Sequence, residues 1–375
     1  MAETERHWPC ESCGADLRFA PGQTRLVCDH CGHVQDIPPA DAVATGKLHE
    51  VDLQTGLRED LQPGLVETIR TTRCPSCGAL VEFRGAEHST ECPFCATPVT
   101  IGTGEARLIK PQGVVPFRIT EPQARNSMTT WLGNLWFAPN GLVEYARKGR
   151  AMNGIYVPYW TFDAATRSRY RGARGEYYYE TRTVMVEVNG RMERRQEQVR
   201  HIRWYPVAGR VSRFFDDVLV MASRSLPRSY VDALAPWDFG DLVPYNADYL
   251  AGFSAEGYTV SLSEGHQQGQ EIMGRVILND VRRDIGGDEQ RVEGIDTDYS
   301  GETFKHILLP IWTAAYRYGG KSYRFVVNGQ TGKVQGERPW SVWKIAFAVL
   351  LAVAAAGAFA WLNQNGEFIN FREFR

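Results

Sequence analysis

From Ile345 to Leu362 the chain carries an unbroken apolar run, about 27 Å of helix at 1.5 Å per residue. A soluble helix shows a polar face, and this run shows none over five turns. Trp340 and Trp343 flank one end and Trp361 the other, where indoles settle at headgroup level, and Lys344 can snorkel outward. Residues 340–362 therefore read as a single transmembrane helix, leaving 363–375 as a short extracytoplasmic tail.

Upstream, apolar positions fall at two other periods. Ile272, Met273, Val276, Ile277 and Val281 keep helical spacing. They predict a helix over about 263–284, capped by Ser263 and stopped by Gly286-Gly287. Thr120 with Gln123 forms a capping-box pattern that opens a second helix over about 121–137. Most of the remainder alternates as strands do. The stretch 183–204 alternates around Asn189-Gly190, a dipeptide suited to a type I′ hairpin turn. Further turns are expected at Gly319-Gly320 and Asn328-Gly329. An internal echo aligns 157–165 with 309–317, matching Pro158 with Pro310, Trp160 with Trp312 and Thr161 with Thr313. These patterns predict an α+β, mainly antiparallel-sheet domain over 105–339 with an internal pseudo-repeat.

All eight cysteines lie before residue 96, as Cys10/Cys13, Cys28/Cys31, Cys74/Cys77 and Cys92/Cys95. The second quartet repeats the first at an offset of 64 residues, with matching spacing and matching neighbours. Paired Cys-x-x-Cys turns bring four thiolates into the tetrahedron that Zn²⁺ accepts, and Gly14, Gly32 and Gly78 follow three of them. Two structural zinc ions are expected, in ribbons over 1–40 and 71–104, with a linker over 41–70. Disulfides would need an oxidising compartment, and the polar, acidic start of the chain is not a secretory signal. His7, His30, His33 and His88 lie near the knuckles and read as neighbours of closed Cys₄ sites. The fold class is thus multidomain: two small β ribbons, an α+β domain and one C-terminal transmembrane helix.

Charge shifts the functional reading. The chain of 375 residues has net charge −2, unlike a protein whose main work is gripping phosphate backbones. Residues 165–213 hold 12 Arg interleaved with Tyr170, Tyr177, Tyr178, Tyr179, Trp204 and Tyr205. Such a stretch fits single-stranded nucleic acid, anionic lipid or a solvated sheet face. Ala315–Ser322 fits a loosened phosphate-loop pattern, but strand residues follow it, so a hairpin tip with Lys321 in solvent is expected. Asp216-Asp217 and 284–290 offer paired carboxylates without a recognisable catalytic frame. No catalytic residue is assigned, and helicase or ATPase activity is not expected. Lys333, Arg338 and Lys344 precede the apolar run; their bias and the reduced thiolates place the N-terminal bulk in the cytoplasm, at the inner membrane.

The knuckles at Cys74–Ala79 and Cys92–Cys95, with the segments 154–164, 215–223, 236–239, 249–258 and 304–341 and the terminal helix, resemble a bacterial family of tail-anchored double zinc-ribbon membrane proteins. Members carry labels such as primosomal protein N-prime, superfamily II helicase or TFIIB-type zinc-ribbon protein. The motor motifs behind the helicase label are absent here. The resemblance implies association with SPFH-domain and phage-shock-type membrane-stress proteins and brings no catalytic residue. The expectation is a non-enzymatic adaptor or scaffold on the cytoplasmic face, with the bilayer and a membrane protein as partners. A membrane-tethered nucleic-acid binder is the alternative, and a homo-oligomer is compatible with either.

Overall fold

The computed structural model describes residues 8–38, 48, 50–58, 61, 63–82, 89–95, 97–100, 105–136, 152–188, 191–318, 321–337 and 340–364. The expected tail after 364 lies outside these residues, as do the turns at Asn189-Gly190 and Gly319-Gly320.

Three long strands organise the molecule. β-branched and aromatic residues alternating with Arg, Thr and Ser favour extended backbone, and here they run without interruption. In chain order the strands are β1 (Leu17–Phe19), β2 (Arg25–Cys28), β3 (Val34–Asp36), β4 (Val51–Asp52), β5 (Val66–Arg73) and β6 (Leu80–Glu82). There follow β7 (Ser89–Glu91), β8 (Pro98–Thr100), β9 (Glu105–Ile109), β10 (Gly113–Val114), β11 (Asn153–Val188) and β12 (Arg191–Met221). The last five are β13 (Val243–Pro244), β14 (Ser254–Gly257), β15 (Glu289–Tyr318), β16 (Lys321–Asn328) and β17 (Val334–Gly336). β11 has 36 residues, β12 has 31 and β15 has 30. At 3.3 Å per residue β11 alone would reach about 120 Å if straight. β11 pairs antiparallel with β12 on one side and with β15 on the other.

Among the described residues the α-helices are α1 (Leu53–Gly56), α2 (Glu121–Gly133), α3 (Arg228–Leu234), α4 (Leu262–Ile285) and α5 (Val342–Gln364). The Thr120/Gln123 capping box forms as expected, and the helix it opens ends at Gly133. α4 is capped by Ser261, whose hydroxyl accepts from the Glu264 N–H, two residues earlier than the Ser263 read from sequence. Gly286 ends it with φ 64°. α4 lies along the three-stranded sheet, burying Met273, Ile277, Val281 and Ile285 with Trp160, Phe162 and Tyr170.

Near its start β11 joins a 12-stranded mixed sheet that includes two short parallel pairs, β10 with β15 and β11 with β14. The internal echo is an antiparallel pair: Val157 of β11 lies directly opposite Leu309 of β15, so the two copies of the motif meet about a local pseudo-dyad. Trp160 and Trp312 each donate an indole N–H to a backbone carbonyl, of Val260 and Ile119 respectively.

Within the stretch read as a linker, β4 pairs with β15, and Leu53 and Val51 are buried in the core around Phe304. Two apolar residues, Val51 and Leu53, are too few to establish a period, which is why the stretch reads as linker. β17 ends at Gly336, and α5 follows. Its 20-residue span Val342–Trp361 has mean hydropathy 2.1 and no part buried against the protein.

Candidate metal centres

Three of the four cysteine pairs sit on tight turns that a following glycine makes possible. Gly14, Gly32 and Gly78 adopt φ of 74°, 75° and 77°, a conformation side chains with a Cβ rarely hold. Their N–H groups return to the carbonyls of Cys10, Cys28 and Cys74. The β1–β2 hairpin joins the first two knuckles, while in the second ribbon β5–β6 brackets Cys74/Cys77 and β7–β8 brackets Cys92/Cys95. In the first cluster Cys10 Sγ lies 3.6 Å from Cys31 Sγ and Cys13 Sγ lies 3.6 Å from Cys28 Sγ. In the second, Cys74–Cys95 and Cys77–Cys92 are 3.5 and 3.6 Å apart.

Four sulfurs at 2.3 Å from a zinc ion would sit roughly 3.8 Å from one another, whereas disulfide sulfurs approach to about 2.05 Å. The separations fit Zn(Cys)₄, and the two quartets are positioned for two zinc ions. Within each cluster the thiols are shifted in opposite directions. The hydrogen bond from Cys92 holds the Cys77 thiol down to about 5, and Cys92, as its donor, is pushed up. Hydrogen bonding from the Cys31 backbone lowers Cys28 to about 7. Four thiolates close the coordination sphere, so each ion would supply folding energy rather than an open reaction site. His30 is exposed and His33 half-buried, and neither joins a cluster; His7 and His88 lie outside the described residues.

Both ribbons are built into the larger domain. Phe19 of β1 is fully buried against Tyr249 and Phe253, with ring centroids 5.3 and 6.3 Å away. Its N–H donates to the Ala251 carbonyl, and the Trp8 indole donates to Asp248 at 2.9 Å. The second ribbon extends the main sheet itself, because β6 pairs with β14. Phe94 is buried beside Cys92, and Thr313 of β15 donates to the Pro93 carbonyl.

Asp216-Asp217 occupies a different setting from any pair read in the sequence. A bulge in the β11–β12 ladder between Phe162 and Ala164 sets Asp163 opposite both residues, and Asp217 takes φ 53°. Its N–H donates to Asp163 Oδ1 at 2.6 Å. Into this bulge β15 sends Lys305, whose Nζ is 2.9 Å from Asp217, 3.2 Å from Asp163 and 3.3 Å from Glu50. Burial alone would lower the Lys305 pKa, but the Asp217 and Asp163 carboxylates outweigh it and hold the ammonium charged. Asp163, Asp216 and Asp217 lie close enough to share a metal, and the Lys305 ammonium already contacts two of them, Asp163 and Asp217. Sequence offered no signal for Lys305 or Asp163, which are 142 residues apart.

The other sequence candidates separate. Tyr318 pairs with Lys321, so 315–322 spans a β15–β16 hairpin with two residues between its strands; no helix begins there. Asp284 accepts from the Tyr170 hydroxyl at 2.6 Å, Asp288 from the Tyr177 N–H, and Glu289 from the Tyr177 hydroxyl, so these carboxylates brace α4 and β15 against β11. Arginines of the 165–213 stretch also find partners. Arg169 pairs with Asp296 at 2.9 Å, Arg174 with Glu176 and Arg213 with Asp280, while Arg200 and Arg203 stack on Tyr177 and Tyr178. Two buried groups were missed altogether. Burial raises the Glu256 carboxyl to about 8, with the Ser223 and Ser225 hydroxyls 2.6 and 3.0 Å away. Burial lowers His306 to about 4, with its Nδ1 against the Ile109 carbonyl.

The chain is similar to the uncharacterized protein YdjG of Bacillus subtilis (strain 168), 23% identical over 345 residues that cover 90% of this chain and 92% of the relative. No family profile matches the chain, and no solved structure matches it.

Proposed function

We propose that this protein is a non-enzymatic, membrane-anchored zinc-ribbon adaptor or scaffold on the cytoplasmic face of the inner membrane. The observation that carries the reading is the pairing of a fully exposed apolar span, Val342–Trp361, with two closed Cys₄ sites. Thiolates kept for zinc favour a reducing compartment, so the ribbons belong on the cytoplasmic side of the bilayer. Closed Cys₄ sites supply folded surface, which is what an adaptor needs. The family resemblance supplies the class of partner: an SPFH-domain or phage-shock-type membrane-stress protein.

A tethered nucleic-acid binder is the other reading. The partnering of Arg169, Arg174 and Arg213 with carboxylates weakens it, since the basic character of 165–213 is offset by residues distant in sequence. Crosslinking in cells, followed by purification of the full chain in detergent, tests the choice. Enrichment of an SPFH or phage-shock-type protein is expected, with recovery insensitive to nuclease. Recovery of salt-sensitive nucleic acid in place of protein would select the alternative.

A further inference from the structure

Beyond Gly175, where its pairing with Glu289 of β15 ends, β12 is the one strand that β11 pairs with among the described residues, and Tyr177 makes its last contacts with Asp288 and Glu289. α4 has stopped at Ile285. From Tyr178 to Val188 and back from Arg191 to His201, the protein is a bare two-stranded arm, about 36 Å long at 3.3 Å per residue. Isolated two-stranded ribbons are marginal in water, and a third strand or a packed face is what stabilises them. This arm has neither among the described residues. The register puts Tyr179, Met185 and Met192 on one face, with Tyr179 and Met192 each 60% exposed and Met185 52%.

The two open edges differ in charge. The β11 edge, 178–188, carries Glu180 and Glu187 against Arg182 alone. The β12 edge, 191–201, carries Arg191, Arg194, Arg195 and Arg200 against Glu193 and Glu197. Like charges facing across strands repel and opposite charges attract. Neither edge therefore suits a copy of itself, but each suits the other.

We propose that the arms of several copies associate side by side, the basic β12 edge of one against the acidic β11 edge of the next. Such a contact is heterologous, so it builds a ring or an open row rather than a two-fold dimer. Its direction agrees with the anchor. Val334, on the strand that precedes α5 in the chain, pairs with Val327, which pairs with Trp312, which pairs with Gly154 at the opposite end of β11 from the arm. Copies anchored in one membrane and related by rotation about its normal point their arms the same way. The descending β12 of one then meets the ascending β11 of its neighbour antiparallel, as the edge hydrogen bonds require. The orientation argument rests on the membrane anchor; the charge argument does not need the adaptor reading.

The full chain in mild detergent tests this without any partner protein. Light scattering should give three or more copies per particle. Glu180→Lys with Glu187→Lys, or Arg194→Glu with Arg195→Glu, should reduce it to single copies while both zinc ions stay bound. All four changes together should restore assembly, since the edges are again opposite. p-Benzoylphenylalanine in place of Thr183 should crosslink to residues 191–201 of a differently tagged copy. A monomeric wild type, a β12-to-β12 crosslink, or assembly indifferent to the charge reversals would overturn the proposal. So would an arm that resists trypsin only when phosphatidylglycerol vesicles or nucleic acid is added, which would give this surface to that ligand.

Discussion

Lys305 shows how one side chain can hold three others together. Its side chain is 5% exposed and that of Asp163 3%, so neither ion is solvated and each depends on the other. Removing one partner of a buried pair leaves an uncompensated charge, at a cost of about 3–5 kcal/mol. Lys305→Met should therefore destabilise the chain by that amount in denaturant titration. Lys305→Met combined with Asp163→Asn should recover part of it, because the stranded charge is gone. A single-variant loss below about 1 kcal/mol would mean that Asp163 and Asp217 are better solvated than the geometry indicates. The Asp216-Asp217 dipeptide was legible in the sequence, but its role was not, since the bulge that gathers the cluster is a property of paired strands.

At the scale of the element, α4 lies close against the sheet because two of its positions lack side chains. A Cβ built on Gly265 would fall 2.5 Å from Trp160 Cδ1, and one on Gly269 2.9 Å from Phe162. Gly274 of the same helix has nothing within 4 Å. The helical term alone favours Ala over Gly by about 0.5–1 kcal/mol, whereas overpacking costs about 1–3 kcal/mol. Gly265→Ala should accordingly lower stability and Gly274→Ala should raise it, two opposite shifts readable by thermal melting in one preparation. Equal responses at the two sites would show that α4 does not rest on Trp160. The apolar period foretold this helix to within a residue or two at either end. The close approach was not foretold, because it depends on a Trp more than 100 residues upstream.

For the molecule as a whole, zinc should be a condition of the fold on both sides of the central domain. Elemental analysis should find two zinc ions per chain, and Cys28→Ser should leave one. Chelation should make all eight thiols titratable. It should also expose Phe19, which is packed on Phe253 and Tyr249, and loosen the sheet edge where β6 meets β14. A count near one in the wild type, or thiols titrating as disulfides, would remove the paired-site assignment.

What the sequence determined by itself is whatever short range dictates. The zinc ligands follow from turn spacing, the capped and apolar helices from a period of 3.6, and the hairpins from alternation about glycine dipeptides. Tertiary structure alone decided how these pieces share surfaces. Leu53 and Val51 are core residues inside an apparent linker because β15 passes beside them. Arg169 and Arg213, basic in their own segment, are neutralised by Asp296 and Asp280 from β15 and α4. The bare arm exists because β15 and α4 end some thirteen residues short of the β11 tip. Each of these outcomes depends on strand register and on contacts between residues far apart in the chain, which no local pattern encodes.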